Sequence, residues 1–561
     1  MLSSITQRQS TQGANMTRSS EREFYDYVVI GSGFGGSVSA LRLAEKGYRV
    51  LVLERGRRYQ DQDFPRSNWD LRNYLWMPVI RCFGFLQLSL LPDVLVMHWS
   101  GVGGGSLGYA NVLVEPDDSA FDAPAWRELG DWKQILAPHY AEAKRMLGRT
   151  VAVELTEADD LLQSVAGEIG RGSTFAPVHV GVFFGPEGEE VPDPFFKGEG
   201  PPRSGCKFCG GCMVGCRYNA KNTLPKNYLY FAERLGVDIQ PESEVTRIDP
   251  VESDGARERL YRIQVRSSTS WFGSRTHHVN AKRVIVAAGV LGTLRLLFRC
   301  RDEYRTLPDI SQALGTNVRT NSEALLGVTD TRSEANHTKG IAIASVIQAD
   351  EVTHIEPFRF SEGSSFLYRL LGAPMIEAGE AGFLHRLLRL FWETIRHPVS
   401  FFQAHFVPSW GRRTFGVLVM QTEDTWLRVS PGRSFRTGFR WGLTSDRRVG
   451  SPVQAEIPIG HEVTRRMAKK ISGTPMGNIV EGAANIAMTA HILGGVPMGD
   501  SPEQAAINQD FELYGAPGIY VVDGSVLPAN PGLNPSLTIT AMAEYAMSKI
   551  PPADPAERQV Q

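Results

Sequence analysis

The clearest alternation of apolar and polar positions lies in FYDYVVIGSGFGGSVSALRLAEKGYRVLVLERG, residues 24–56. Tyr27, Val28, Val29 and Ile30 form a short apolar run with a β-branched bias, the pattern of a strand buried on both faces. Leu41, Leu43 and Ala44 follow at helical spacing, and Gly47 closes that helix. Arg49 to Leu53 predicts a second strand that ends in Glu54. Residues 119–147 carry Trp126, Trp132, Leu136, Tyr140 and Met146 on one stripe, which predicts a single core-facing helix. Strand patterns return over 237–289, ending in RVIVAAG and the helix Leu291 to Phe298. GIAIASVI (340–347), THIEPFRF (353–360) and FGVLVMQ (415–421) predict strands of a mixed or antiparallel sheet. Near the end, Tyr520 to Val522 reads as a strand and Asp523-Gly524 as its turn. A helix follows that begins at Asn534-Pro535, with Ser536, Leu537 and Thr538 in its first turn.

Two stretches are ambiguous. Leu75 to Trp99 is densely apolar and aromatic around Pro78, Gly84 and Pro92, and reads either as a long loop over the core or as the wall of an apolar pocket. Phe383 to Ile395 keeps Leu384, Leu387, Leu388, Phe391 and Ile395 on one helical face, with Arg386, Arg389 and Arg396 elsewhere and His385 and His397 nearby. It reads either as a lid or core helix, or as a basic amphipathic helix lying on a membrane surface.

Composition narrows the class. A chain of 561 residues is too long for one simple core, so two or three joined domains are expected. A net charge of −2 gives no reason to expect a nucleic-acid partner, and six cysteines at this length are no secreted disulfide framework. Residues 1–23 are polar, with Arg8 and Arg18 and no apolar core of a secretory signal. They read as a disordered extension within which Met16 is an alternative start, and 551–561 reads as a tail. Cys82 to Pro92 falls well short of the ~20 residues a spanning helix needs. The expectation is a cytoplasmic protein with peripheral membrane contact.

Three motifs carry chemistry. Gly31, Gly33 and Gly36 have the G-x-G-x-x-G spacing between strand and helix. The first permits the turn, the second lets backbone approach a pyrophosphate, and the third lets the helix pack on the strand, while Glu54 is placed to accept from an adenosine ribose. Gly101 to Asn111, GVGGGSLGYAN, is backbone that must pass close to something, most naturally the same dinucleotide. Cys206, Cys209, Cys212 and Cys216 have the C-x-x-C-x-x-C-x-x-x-C spacing of bacterial ferredoxins, whose thiolates hold iron–sulfur clusters. Against that, Arg217 stands where proline is usual, and in ferredoxins the fourth cysteine serves a second cluster. A lone cluster needs Cys216 to fold back, or Cys82 or Cys300 to arrive from a distance; zinc, or packed reduced thiols, are the other readings.

The glycine motif together with GVGGGSL about 70 residues later resembles the glucose–methanol–choline (GMC) oxidoreductases, and within them the bacterial cholesterol oxidases. TAHILGGVPMG, with His491, and DGSVLPANPGLNPSLTI, with Asn534, extend the likeness to the other end. The resemblance implies an α/β fold, mixed with α+β character: a Rossmann-like FAD-binding domain and a second, substrate-binding domain on a mixed or antiparallel sheet. The implied division is 24–319 and 481–550 for the FAD-binding domain and 320–480 for the other. It implies non-covalent FAD held by Gly31, Gly33, Phe34, Gly35, Gly36, Glu54, Arg55, Gly103, Gly104, Gly105, Ser106, Val245, Gly289, Asp523, Gly524, Asn534, Pro535 and Ser536. Tyr109 stands where the relatives carry asparagine, which makes Asn111 the candidate for that contact. His491 and Asn534 match the pair that faces the flavin's reactive edge, and Glu356 matches a base that moves a steroid double bond.

The function implied is FAD-dependent oxidation of a hydrophobic secondary alcohol to a ketone, foremost the 3β-hydroxyl of cholesterol or a related steroid, with double-bond isomerisation through Glu356. Oxygen or another acceptor takes the electrons. A long-chain alcohol oxidase on the same machinery is one alternative. An electron-transfer flavoprotein using the cysteine run as a relay is the other.

Overall fold

The computed structural model describes residues 24–251, 260–270, 275–377, 379, 381–396, 398, 410–433 and 441–554. The expected extension 1–23, most of the expected tail and His397 lie outside the described residues.

One seven-stranded sheet has the order Asp238–Gln240, Val50–Leu53, Phe24–Ile30, Thr276–Val286, Leu260–Ser267, Ser243–Val251, with Ile519–Val521 also pairing with Thr276–Val286. The first four strands run parallel, and so does Ile519–Val521. Val28, Val29, Leu51 and Val52 are fully buried, which is why these strands read as unbroken apolar runs. Helix Phe34–Glu45 follows the first strand through a turn that tolerates no side chain. At Gly31, φ +99°, a Cβ would sit 2.2 Å from the Ala287 carbonyl oxygen, and one at Gly36 would sit 2.0 Å from that of Gly31.

The second seven-stranded sheet is antiparallel throughout, in the order Gly372–Pro374, Thr474–Asn478, Ala324–Thr329, Thr414–Gln421, Thr353–Phe358, Ser345–Gln348, Ala176–Pro177. Helices Glu157–Glu168 and Pro458–Lys470 cover one face, burying Leu162, Val165, Ile355, Val417, Val419, Val463 and Met467. Because side chains alternate along a strand, Glu356 and its cross-strand neighbour Leu418 point to the opposite face.

Several expectations need correction. The single helix over 119–147 is three, Asp118–Phe121, Pro124–Arg127 and Trp132–Met146. Pro124 can only start a helix, and Gly130 takes φ +133°. Its apolar stripe is nonetheless buried. The loop reading of 75–99 gives way to strands: Leu86–Leu90 and Val94–Trp99 form a hairpin, extended by Ala487–Thr489. Within 340–347 the strand begins only at Ser345, after Gly340 at φ +105°. The boundaries at 319 and 480 do not divide the packing either. Helix Glu157–Glu168 and strand Ala176–Pro177 belong with the second sheet, whereas Leu427, Val429 and Leu443 lie in the core of the first. The chain crosses between the sheets more often than a simple domain order implies.

Candidate active site

Two adjoining cavities lie between the sheets and share Gly33, Trp99, Gly105 and Ala287–Gly289. One runs from the ends of the first two strands past Gly31, Gly33, Glu54, Arg55, Gly104 and Val245. The other is wider and mostly apolar, lined by Phe34, Gly35, Met97, Leu325, Leu326, Leu367, Tyr368, Leu418 and Met476 among others, and it contains Glu323, His491, Asp523, Gly524, Asn534, Pro535 and Ser536.

This groove fits FAD on a property of the backbone. A Cβ built on Gly33 or Gly289 would meet no heavy atom within 4 Å, so both glycines open onto empty space. Gly104 packs its Cα face against Gly33, where a Cβ would lie 2.6 Å from Gly33 Cα. The two glycine loops thus close on each other and leave a narrow track of backbone, suited to a pyrophosphate. Helix Ser536–Ser548 begins at the wide cavity, where its N-terminal N–H groups favour negative charge.

Several of the expected cofactor residues also carry contacts within the protein. The Glu54 carboxylate already accepts from Ser32 N–H (3.1 Å) and Oγ (2.8 Å), Gly56 N–H (2.8 Å) and Gly101 N–H (3.2 Å), so it ties the two glycine loops together. Gly36 and Gly103 pack against backbone and against Pro225, and line neither cavity. Ser106 is buried, its hydroxyl donating to the Gly103 carbonyl and accepting from Leu224 N–H. Asn111, at φ +72°, lies beside Cys212 and is not among the lining residues of either cavity, although its neighbours Ala110 and Val112 line the wide one. Tyr109 does line the wide cavity. Asp523 lines it too, while its carboxylate fixes the loops around it: it accepts from Gly289 N–H (2.9 Å), Thr293 Oγ1 (2.6 Å) and Ser525 N–H (2.8 Å).

The ionisable groups form a chain. Glu323 Oε2 lies 3.0 Å from His491 Nδ1. The same buried carboxylate accepts from Thr489 Oγ1 (2.8 Å) and Ala490 N–H (3.2 Å), which holds the turn that presents the ring. A carboxylate that accepts from two neighbours accepts from the imidazole as well, so Nδ1 carries a ring proton. His491 Nε2 lies 3.5 Å from the Asn534 amide. With that amide turned so its nitrogen faces Glu356, Asn534 donates to both Glu356 oxygens, at 3.1 and 3.0 Å. Glu356 is fully buried behind Asn534 and is not on the cavity wall. Its loss of solvent, with Glu323 adding to it, pushes its carboxyl up to about 8, against the pull of the Asn534 hydrogen bond.

Sequence reasoning missed Glu323, the acid that orients His491. It stands just before strand Ala324–Thr329, after Asn321 and Ser322, both at positive φ (57° and 42°). Asn321 is locked there by Asn530 Oδ1, the Leu533 carbonyl and Gly532 N–H. The only available signal was an Asn able to adopt the left-handed conformation before a buried strand.

Helix Phe383–Arg396 has its apolar side outward: Leu384 is 72% and Phe391 58% exposed, and Phe383, Leu388, Trp392 and Ile395 are exposed too. Its buried residues are Leu390 and Arg386, whose guanidinium donates to the carbonyls of Ala381 and Glu481 (3.1 and 3.0 Å). The core reading fails on that orientation. Among the described residues no helix is long and apolar enough to cross a membrane.

Models of the GMC oxidoreductase family match residues 202–300 and 453–543, and a model of an NAD(P)-binding Rossmann-like domain matches 29–59. The chain is 41% identical over 539 residues to a cholesterol oxidase of Acinetobacter baumannii, covering 95% of this chain and 96% of that one. It is 43% identical over 535 residues to a cholesterol oxidase of Mycobacterium tuberculosis, covering 94% and 91%. Among solved structures, a pyridoxine 4-oxidase from Mesorbium loti shares the fold with a TM-score of 0.58 at 15% identity, covering 94% of this chain and 99% of that one.

Proposed function

The chain belongs to the GMC oxidoreductase family and is an FAD-dependent alcohol oxidoreductase; on that premise we propose that it oxidises the 3β-hydroxyl of a sterol such as cholesterol to the ketone, with oxygen as electron acceptor. The observation that carries this reading is the run Glu323–His491–Asn534 on the lining of a wide, mostly apolar cavity. A sterol is a rigid hydrocarbon with one hydroxyl, and such a cavity buries the rings and leaves the hydroxyl for the polar end.

Bound FAD supplies the acceptor for the hydride that leaves the carbinol carbon. The protein supplies the rest. His491 Nε2 takes the hydroxyl proton as the hydride departs, and Glu323, bonded at Nδ1, fixes the ring and stabilises the charge it gains. Asn534, an uncharged amide bonded to Glu356, borders the alcohol without competing for the proton. The start of helix Ser536–Ser548 stabilises negative charge at the cavity. Isomerisation of the product requires a base that moves one proton along the ring skeleton. Glu356, one hydrogen bond behind Asn534, is the candidate once its carboxylate turns out toward the cavity.

Delivery of an insoluble substrate belongs to the same proposal. The outward apolar side of helix Phe383–Arg396, with Arg389 and Arg396 beside it, suits a bilayer surface from which a sterol is drawn.

Anaerobic titration of the flavoprotein with cholesterol, followed in the flavin absorption band with His491→Ala alongside, tests the reading. Bleaching that the variant slows by two orders of magnitude or more supports it. Bleaching only by fatty alcohols would transfer the substrate and keep the mechanism; a flavin that no alcohol reduces would refute both.

A further inference from the structure

The four cysteines of the ferredoxin-like run come together. Cys206, Cys209, Cys212 and Cys216 line one small cavity with Lys221. The chain achieves this by doubling back. Cys212–Val214 form a single 3-10 turn and Gly215 takes φ +92°, where a Cβ would lie 2.1 Å from the Phe64 ring. Cys216 is thereby returned to the cavity that the first three thiols line, whereas Cys82 and Cys300 are not among its lining residues.

The surroundings are those of thiolate ligands. Phe208 N–H donates to Cys206 Sγ (3.4 Å), and backbone groups of Gly211 and Ala342 bond to Cys209 and Cys212. Such N–H···S bonds stabilise charge on sulfur. Lys221, fully buried, donates from Nζ to the carbonyls of Leu107 (3.0 Å), Tyr109 (2.8 Å) and Cys212 (2.8 Å), which fixes an amine beside the sulfurs. Metals take cysteine as the thiolate, so binding here displaces the thiol protons.

Spacing discriminates between metals. A tetrahedral zinc with Zn–S bonds of ~2.3 Å needs its sulfurs roughly 3.8 Å apart. Among the described residues, no three of these sulfurs lie within 4.8 Å of one another. A cluster, with sulfide and several irons between its ligands, holds cysteine sulfurs farther apart. We propose that Cys206, Cys209, Cys212 and Cys216 ligate one iron–sulfur cluster of the [4Fe–4S] class. Met213, inside the run, lines the wide reaction cavity, and Cys209 is exposed, so the cluster stands between that cavity and the surface.

The test uses the full-length flavoprotein, reconstituted anaerobically with ferrous iron and sulfide, then desalted. Iron, acid-labile sulfide, zinc and flavin are measured on one sample, with low-temperature electron paramagnetic resonance after dithionite. The expected result is about four irons and four sulfides per chain and a signal from the reduced cluster. Cys209→Ser, at the exposed rim, should lower iron at least fivefold with flavin content and circular dichroism unchanged, whereas Cys300→Ala should keep it. Less than half an iron per chain after reconstitution, or zinc without sulfide, overturns the proposal. Flavin content and reduction by alcohol are read separately, so neither result bears on the sterol reading.

Discussion

The two walls of the reaction cavity are built on opposite principles. The parallel-sheet wall is backbone: Gly31, Gly33, Gly104, Gly105 and Ala287–Gly289 supply N–H groups and room, with little side chain. The antiparallel wall supplies two acids, Glu323 and Glu356, that reach the same His491–Asn534 pair from different sides. Both acids are fully buried, yet their surroundings differ. Glu323 accepts from Thr489, Ala490 and His491, whereas the Asn534 amide is the donor described for Glu356. A buried acid with donors serves as an anchor; one with few is pushed up toward neutrality, to about 8 here, and becomes a candidate proton carrier. The lesson is that one residue type at equal burial takes two roles according to who donates to it.

The largest effect should come from the group that both walls converge on. His491→Ala should slow flavin reduction by roughly 10²–10⁴-fold, the range for losing a positioned acid–base group, with flavin content unchanged. Stopped-flow absorbance checks this, and a loss below tenfold would remove His491 from the proton transfer. Next in size is Glu356→Gln. Isomerisation should fall by about 10²-fold or more, while oxidation of a ring-saturated 3β-sterol stays within a few-fold. Because the base form is needed, wild-type isomerisation should rise with pH through about 8 and the variant should lack that rise. Stability follows the same group. Between the unfolded carboxyl value, 4.5, and about 8, the native state holds a proton that the unfolded state has lost. Unfolding free energy should therefore fall as pH climbs through that window, and Glu356→Gln should flatten the slope. Loss of oxidation and isomerisation together would show that the two acids do not divide the labour.

The walls were unequally legible in the sequence. Glycine spacing is a local requirement, so Gly31, Gly33 and Gly36 announced the strand–turn–helix and its buried parallel neighbours. His491 and Asn534 stood out through motif likeness, since nothing in their own spacing makes a site. Glu323 stayed invisible because its meaning arises only when Thr489–His491 folds onto it, 168 positions away. Glu54 lines the groove where the pattern placed it, but its part in tying Ser32, Gly56 and Gly101 together appears only in the fold. Helix Phe383–Arg396 shows the limit most plainly: periodicity gives a face, but not which way the face turns.

A smaller effect is expected at the anchor. Glu323→Gln keeps the shape but weakens the hold on the protonated ring, and should lower kcat about tenfold with KM nearly unchanged. Rescue separates orientation from packing: Glu323→Asp, which keeps a carboxylate beside the ring, should recover part of the lost kcat. A Glu323→Gln variant that keeps full kcat but unfolds at lower temperature would make Glu323 only a brace for the Thr489–Ala490 turn.

The smallest effect should appear at the outer edge of the antiparallel wall, where helix Phe383–Arg396 packs through Leu390 against Ala373 and Ile376. Strand Gly372–Pro374 leads from there to Gly372 on the cavity lining, so whatever the helix rests on lies near the route to the site. Its exposed leucines and aromatics lose nothing of the fold when made polar, because they touch little of it. Replacing both Leu384 and Leu388 by Asp should therefore leave thermal unfolding and turnover of detergent-dispersed sterol unchanged. It should lower turnover of sterol held in anionic lipid vesicles by about three- to tenfold, together with co-sedimentation on those vesicles. Equal loss on both forms of substrate would mean that the helix shapes the cavity. No loss on either would leave the exposed face without a membrane role, and would confine the acids' division of labour to a site that sterol reaches unaided.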